Sequence, residues 1–207
     1  MNSRRQFLKQ AFLLGALAYY PQLSMAEVEA KKSLIVYYSR TLNTHILAKY
    51  LQSITKSDMM RLQTTYHYPS NFEAMLEIAK QEREENFKPE LLNAELNFDD
   101  YDMIFLGTPI WSGGIASPVR TFLSQYDFSS KIIAPFCTQV KDSIEGCIDD
   151  IRKIAPNAQI LKGIDIHAAF EKDDGYLKDK NRIYLASEAS YLTFADKQEI
   201  NLWLKKM

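Results

Sequence analysis

Two short runs constrain this chain more than anything else in it. Ser33-Leu34-Ile35-Val36-Tyr37-Tyr38 and Met103-Ile104-Phe105-Leu106-Gly107-Thr108 are β-prone and apolar with almost no interruption. They are too short for helices, and they do not alternate as a strand with one wet face would. Both read as strands buried on two faces. A sheet buried on both sides needs helices above and below it, and the segments between the runs have helical spacing. Residues 44–54 place Ile46, Leu47, Tyr50, Leu51 and Ile54 on one side. Residues 71–85 form a charged amphipathic helix with Phe72, Met75, Leu76 and Ile78 on its inner face. Residues 118–126 read as a helix with proline in its first turn. Further helices are expected at 143–154 and at 196–206, the last with Ile200, Leu202, Trp203 and Leu204 on its apolar side. Strands at 58–63, 131–137 and 159–164 complete the alternation. The expected fold class is α/β: a doubly wound, five-stranded parallel sheet with right-handed crossovers.

The first 26 residues stand apart from this pattern. Ser3-Arg4-Arg5-Gln6-Phe7-Leu8-Lys9 matches the twin-arginine export consensus, Ser/Thr-Arg-Arg-x-Phe-Leu-Lys, throughout. A ten-residue apolar stretch at 11–20 follows, about half of what a helix needs to cross a bilayer. Pro21 and then Ser24-Met25-Ala26 complete a cleavable signal peptide, with small residues where cleavage requires them. The expected organisation is a signal peptide at 1–26 and one domain at 27–207, periplasmic and without a stable membrane span after cleavage. Removing the signal uncovers a mild acidity. The remaining chain carries 22 basic residues against 26 acidic ones, which gives no electrostatic reason to expect nucleic acid as a partner.

Other features say less about function. Cys137 and Cys147 are too few for a disulfide scaffold or a zinc site. They are either two buried thiols or, in an oxidising compartment, a pair. His45, His67 and His167 have no metal-ligand spacing, and Asp149 with Asp150 reads as a solvated helix face. A long connection at 167–195 lacks periodicity and contains Gly175, Tyr184, Tyr191 and Phe194. Connections of that length are usually functional.

Three blocks carry a resemblance. They are Tyr38-Ser39-Arg40-Thr41-Leu42-Asn43-Thr44, the run from Tyr101 through Gly107-Thr108-Pro109-Ile110-Trp111-Ser112-Gly113, and Pro135-Phe136-Cys137-Thr138. Together, in this order and spacing, they resemble bacterial flavodoxin-like proteins, whose members read YSRTGNT, GxPxWW and PFCTHGG. Tyr68-Pro69, Pro89 and Leu91 fit the intervening pattern. The resemblance runs from about residue 33 to 166 and resumes at the terminal helix. It implies strand order 2-1-3-4-5 and FMN across the carboxyl ends of the strands, flavodoxin itself being the usual example of that rule. It further implies an electron-transfer protein or small flavin reductase with a redox partner protein or small-molecule acceptor. The cofactor-binding residues it implies are Ser39, Arg40, Thr41, Leu42, Asn43 and Thr44, then Pro109, Ile110, Trp111, Ser112 and Gly113, then Thr138 and Gln139. The export signal accords with this, because the twin-arginine route carries proteins that folded around a cofactor in the cytoplasm.

The residue types suit those roles. A strand-to-helix turn offers backbone N–H groups and the positive end of a helix dipole to a phosphate, and Ser39, Thr41, Asn43 and Thr44 add polar side chains. The same residues also suit plain helix capping. Trp111 occupies the slot of a ring that stacks on isoalloxazine, or else anchors its own loop. Gly113 and Gly114 allow backbone to approach the flavin. Three positions depart from the family pattern. Leu42 replaces a glycine, Ser112 replaces a second tryptophan, and Gln139-Val140-Lys141-Asp142-Ser143 replaces a glycine-rich loop. A leucine at a position needing positive φ costs about 1–2 kcal/mol. These departures keep a second reading open, a flavodoxin-fold binding module that has lost FMN.

Overall fold

The computed structural model describes residues 32–69, 71–92, 98–167 and 192–207. The signal peptide expected at 1–26 and residues 168–191 of the long connection lie outside the described residues.

Strand β1 (Ser33–Tyr37) lies between β2 (Asp58–Arg61) and β3 (Met103–Trp111), parallel to both. Next comes β5 (Ile132–Gln139), parallel to β3. The fifth place holds two short strands, β6 (Gln159–Ile160) and β7 (Ile164–His167), both parallel to β5. A two-residue strand, β4 (Gly114–Ile115), folds back antiparallel on the end of β3. Leaving the small β4 aside and counting β6 and β7 as one broken strand, the order is the expected 2-1-3-4-5.

The break has a local cause. Ile133 pairs with Ile160 and Phe136 with Ile164, so three steps along β5 face four along the edge strand. That is a bulge, and Pro135, which has no N–H to give the ladder, falls within it. Gly163 sits there because a Cβ would lie 3.0 Å from the Pro135 carbonyl and 2.4 Å from Ile144 Cδ1. The edge strand consequently runs to His167 rather than ending at 164.

Residues alternating along β1 feed two cores. Ile35 and Tyr37 join Phe105, Ala134 and Phe136 under helices α1 (Asn43–Thr55) and α5 (Phe194–Leu204). Leu34 and Val36 join Ile104, Leu106 and Ile133 on the opposite face, under α2 (Phe72–Glu84), α3 (Ser117–Gln125) and α4 (Glu145–Ile154). Helix α5 begins two residues before the expected start, in a capping box between Thr193 and Asp196. Three residues expected on inner faces are exposed: Ile54, Leu76 and Leu202. In α2 the buried stripe is Met75, Ala79 and, unexpectedly, Glu82.

Candidate functional site: a cleft at the carboxyl ends of the strands

β1 feeds a helix on one face of the sheet and β3 feeds a helix on the other, so their carboxyl ends flank the point where the winding reverses. An open cleft of about 990 Å³, its solvent-facing mouth included, lies at this edge. The enclosed part of that space is about 220 Å³, below the usual range for cofactor pockets of about 300–1,000 Å³.

The loop after β1 supplies Arg40, Thr41 and Asn43 to the cleft. Arg61 donates from Nη2 to the Ser39 carbonyl at 2.8 Å, and Arg40 donates from Nη1 to the Pro69 carbonyl at 3.0 Å. Leu42 is the N-cap of α1 and has φ 68°, the left-handed conformation that the family glycine suits. The first turn of α1 contains no acid, and Leu42 offers no capping side chain. Ser39 Oγ accepts the His45 N–H at 3.2 Å, and the Asn43 amide donates to Thr41 Oγ1 at 3.1 Å. Helix geometry leaves the N–H groups of Asn43 and Thr44 without intrahelical acceptors. The Thr44 hydroxyl is engaged elsewhere, 2.8 Å from Thr138 Oγ1 in a buried hydrogen bond between the first and third loops.

The second loop is a hairpin. Ser112 and Gly113 have φ 49° and 75°, the pair of positive values that a two-residue type I′ connection requires. Thr108 Oγ1 accepts the Ala116 N–H at 3.0 Å and donates to the Pro109 carbonyl at 2.8 Å, clasping the base of the loop. Pro109, Ile110, Trp111 and Ser112 line the cleft. Gly113 contributes its carbonyl to a contact with α4 instead, where a Cβ on Gly146 would lie 1.9 Å from that oxygen. Gly114 is needed for a reason the sequence conceals: its Cβ would lie 1.5 Å from Arg83 Nη1.

Trp111 is only 9% exposed. Its ring meets Tyr38 edge-on at 5.5 Å and Tyr68 at 4.8 Å, so it is held in an aromatic cluster while also lining the cleft. From the third loop Thr138, Val140, Lys141 and Asp142 line the space. Gln139 ends β5, paired with His167, and is not in the lining. Of the residues expected at the site, Ser39, Leu42, Thr44, Gly113 and Gln139 thus frame the cleft without lining it.

One wall was absent from the sequence reading. Phe72, Met75, Leu76 and Ala79 of α2 close the cleft on its outer side. The available signal was Leu76, apolar yet one step off the buried stripe.

Polar groups lie buried behind that wall. Asp150 belongs here and not on a solvated face: its carboxylate takes a two-point bond from Arg83, at 2.6 and 3.2 Å, and accepts the Ile115 N–H at 3.2 Å. Asp149 is exposed, as expected. Glu82 is 95% buried; Tyr68 donates to its Oε2 at 3.2 Å, while Oε1 has no partner among the described residues. Arg120, also buried, donates from Nη1 to Ser117 Oγ at 3.3 Å. Burial pushes the Glu82 carboxyl above its usual range, against the pull of Ser117, Tyr68 and Arg120. Burial raises the Tyr68 phenol as well, and lowers the Arg120 guanidinium. Cys137 and Cys147 are buried free thiols, and burial drives Cys137 well above the ordinary thiol value. No described helix is long and apolar enough to cross a membrane.

Comparison with known proteins bears on the same region. Residues 32–178 match the family described as flavodoxin. No curated protein matches the chain. Among solved structures, a Lactobacillus acidophilus flavoprotein in complex with FMN superposes with a TM-score of 0.58 at 25% identity, covering 71% of this chain and 99% of that one. The apo form of the flavoprotein from that organism superposes at 0.52 with 24% identity, covering 72% and 99%. A candidate flavoprotein from Bacteroides uniformis reaches 0.60 at 22% identity, over 67% of this chain and 92% of its own.

Proposed function

Because this chain belongs to the flavodoxin family, we propose that it binds FMN in the cleft and works, outside the cytoplasmic membrane, as an electron carrier or small flavin reductase. The observation that carries this reading is the first turn of α1. It combines two backbone donors without intrahelical acceptors, no acid, and a backbone already in the left-handed conformation at Leu42. This arrangement fits a phosphate dianion. Thr41 and Asn43 would hold the phosphate with those donors, and Arg40 adds positive charge at the rim. Ile110, Trp111 and Thr138 would face the ring, with Met75 and Leu76 as the opposite wall. FMN would supply one- and two-electron chemistry, and the protein would position it and tune its potential. An absorbance spectrum of protein purified from periplasm without added flavin tests this. The visible absorption bands of an oxidised flavin are expected. A colourless protein that also fails to take up added FMN refutes the reading.

The export part rests on Ser3–Lys9. Replacing Arg4 and Arg5 together by lysine should leave unprocessed protein in the cytoplasm; normal export of that variant removes the twin-arginine assignment.

Two observations favour a second reading, a binding module without flavin. Trp111 presents little ring surface, and Val140 and Lys141 occupy space that the family's glycines leave open.

A further inference from the structure

Glu82 follows Ala79 on the buried stripe of α2, one turn beyond a residue that lines the cleft. Its carboxyl reaches the cleft by a second route as well. Oε2 accepts the Tyr68 hydroxyl at 3.2 Å, and the Tyr68 ring packs at 4.8 Å against Trp111, which lines the space directly. The second oxygen is buried and unmet among the described residues. A buried carboxylate with an unpartnered oxygen is costly, and a proton removes the charge that makes it so.

We propose that Glu82 is a positioning residue for the cleft: through Tyr68 it sets how Trp111 is held, and the cleft's affinity for an anionic ring compound therefore changes with the protonation of this one carboxyl. The groups facing it are consistent with one titrating site. Tyr68 faces it from the segment after β2, with Tyr66 and Tyr38 against the Tyr68 ring, and Ser117 and Arg120 face it from α3. Arg83 on its own helix is already paired with Asp150 of α4, and Glu85, a like charge, adds a small push in the same direction as burial. Burial outweighs the favourable partners and raises the carboxyl's proton affinity. Protonation removes a negative charge beside the cleft, so an anion there binds more tightly at low pH, and its binding takes up a proton.

The part concerning an anionic ring rests on the flavin reading; the link from Glu82 to Trp111 does not. The experiment therefore begins without ligand. Tryptophan emission of the apo protein is followed from pH 4.5 to 9, with far-UV circular dichroism to exclude unfolding, for wild type, Glu82→Gln and Tyr68→Phe. The other tryptophan, Trp203, packs on the opposite face of the sheet. Wild type is expected to titrate with a midpoint above the ordinary carboxylate range, Glu82→Gln to be flat, and Tyr68→Phe to lose most of the amplitude. FMN titrations of the same proteins should show wild-type affinity falling about three- to tenfold relative to Glu82→Gln through that midpoint, the variant serving as the reference because the FMN phosphate itself titrates at about pH 6. A flat wild-type emission curve, or the same curve in Glu82→Gln, overturns the proposal even if FMN binds. If Glu82→Gln does not fold, an unchanged amplitude in Tyr68→Phe overturns it. Failure of FMN to bind while the emission titration persists refutes the flavin reading and leaves the positioning of Trp111 by Glu82 standing.

Discussion

Thr44 Oγ1 and Thr138 Oγ1 lie 2.8 Å apart in a buried hydrogen bond that ties the first turn of α1 to the end of β5. The two loops that frame the cleft are thereby fixed to each other. Thr44→Val keeps the shape and strands a buried hydroxyl, so it should destabilise the fold by about 1–3 kcal/mol. Thr41 lines the cleft, and Thr41→Ala should leave stability nearly unchanged while weakening FMN, but not riboflavin, by about 1–3 kcal/mol. Denaturant unfolding and paired ligand titrations separate the two residues. Equal weakening of both ligands by Thr41→Ala removes its phosphate role.

Leu42 holds a conformation that glycine adopts without penalty. Leu42→Gly should stabilise the protein by about 1 kcal/mol, the relief of strain being partly offset by the freedom glycine gains when unfolded. A fall in the denaturation midpoint would show that leucine packing outweighs the strain.

Arg83, Asp150 and Gly114 form one unit. Gly114→Ala should cost about 1.5–3 kcal/mol by pushing the guanidinium off Asp150. Arg83→Ala removes the nearer obstacle and frees Asp150, whose Oδ2 would lie 2.2 Å from the new methyl group, to move aside, so the two substitutions should be non-additive in a double-mutant cycle. Additive losses would mean that the pair tolerates the extra methyl group.

Glu82 also predicts the sign of a pH effect on stability. Its folded-state proton affinity is raised, so the folded protein binds more protons than the unfolded chain between the ordinary glutamate value and the raised one. Its contribution is fully present below the ordinary value and is lost as pH rises through the folded one. Wild type should lose stability relative to Glu82→Gln across that window. A constant difference between the two from pH 4.5 to 8 contradicts this.

The sequence made the frame of the fold legible because both faces of β1 and β3 are buried and leave an unbroken apolar signature. It did not reveal the break in the edge strand, which depends on Pro135 and Gly163 meeting across two elements. Asp150 looked solvated because its partner Arg83 is 67 residues away in the chain. The three loops were readable as blocks, and the structure gathers them at one edge. The side chains divided in a way that spacing does not encode: Thr41 lines the space while Thr44 turns to Thr138, and Val140 rather than Gln139 enters the cleft. Glu82 was hidden within a helix whose other charged residues, Arg83 apart, face water.

Titration of FMN fluorescence with apo protein tests most directly whether the cleft takes FMN. Saturable quenching at one equivalent is expected, because a flavin beside Trp111 loses much of its emission. Trp111→Ala should weaken binding by about 1–3 kcal/mol, and replacing Val140 and Lys141 together by glycine should tighten it. No saturable quenching by wild type, with no rescue in the double-glycine variant, would contradict the account and leave the flavin-free binding module in its place.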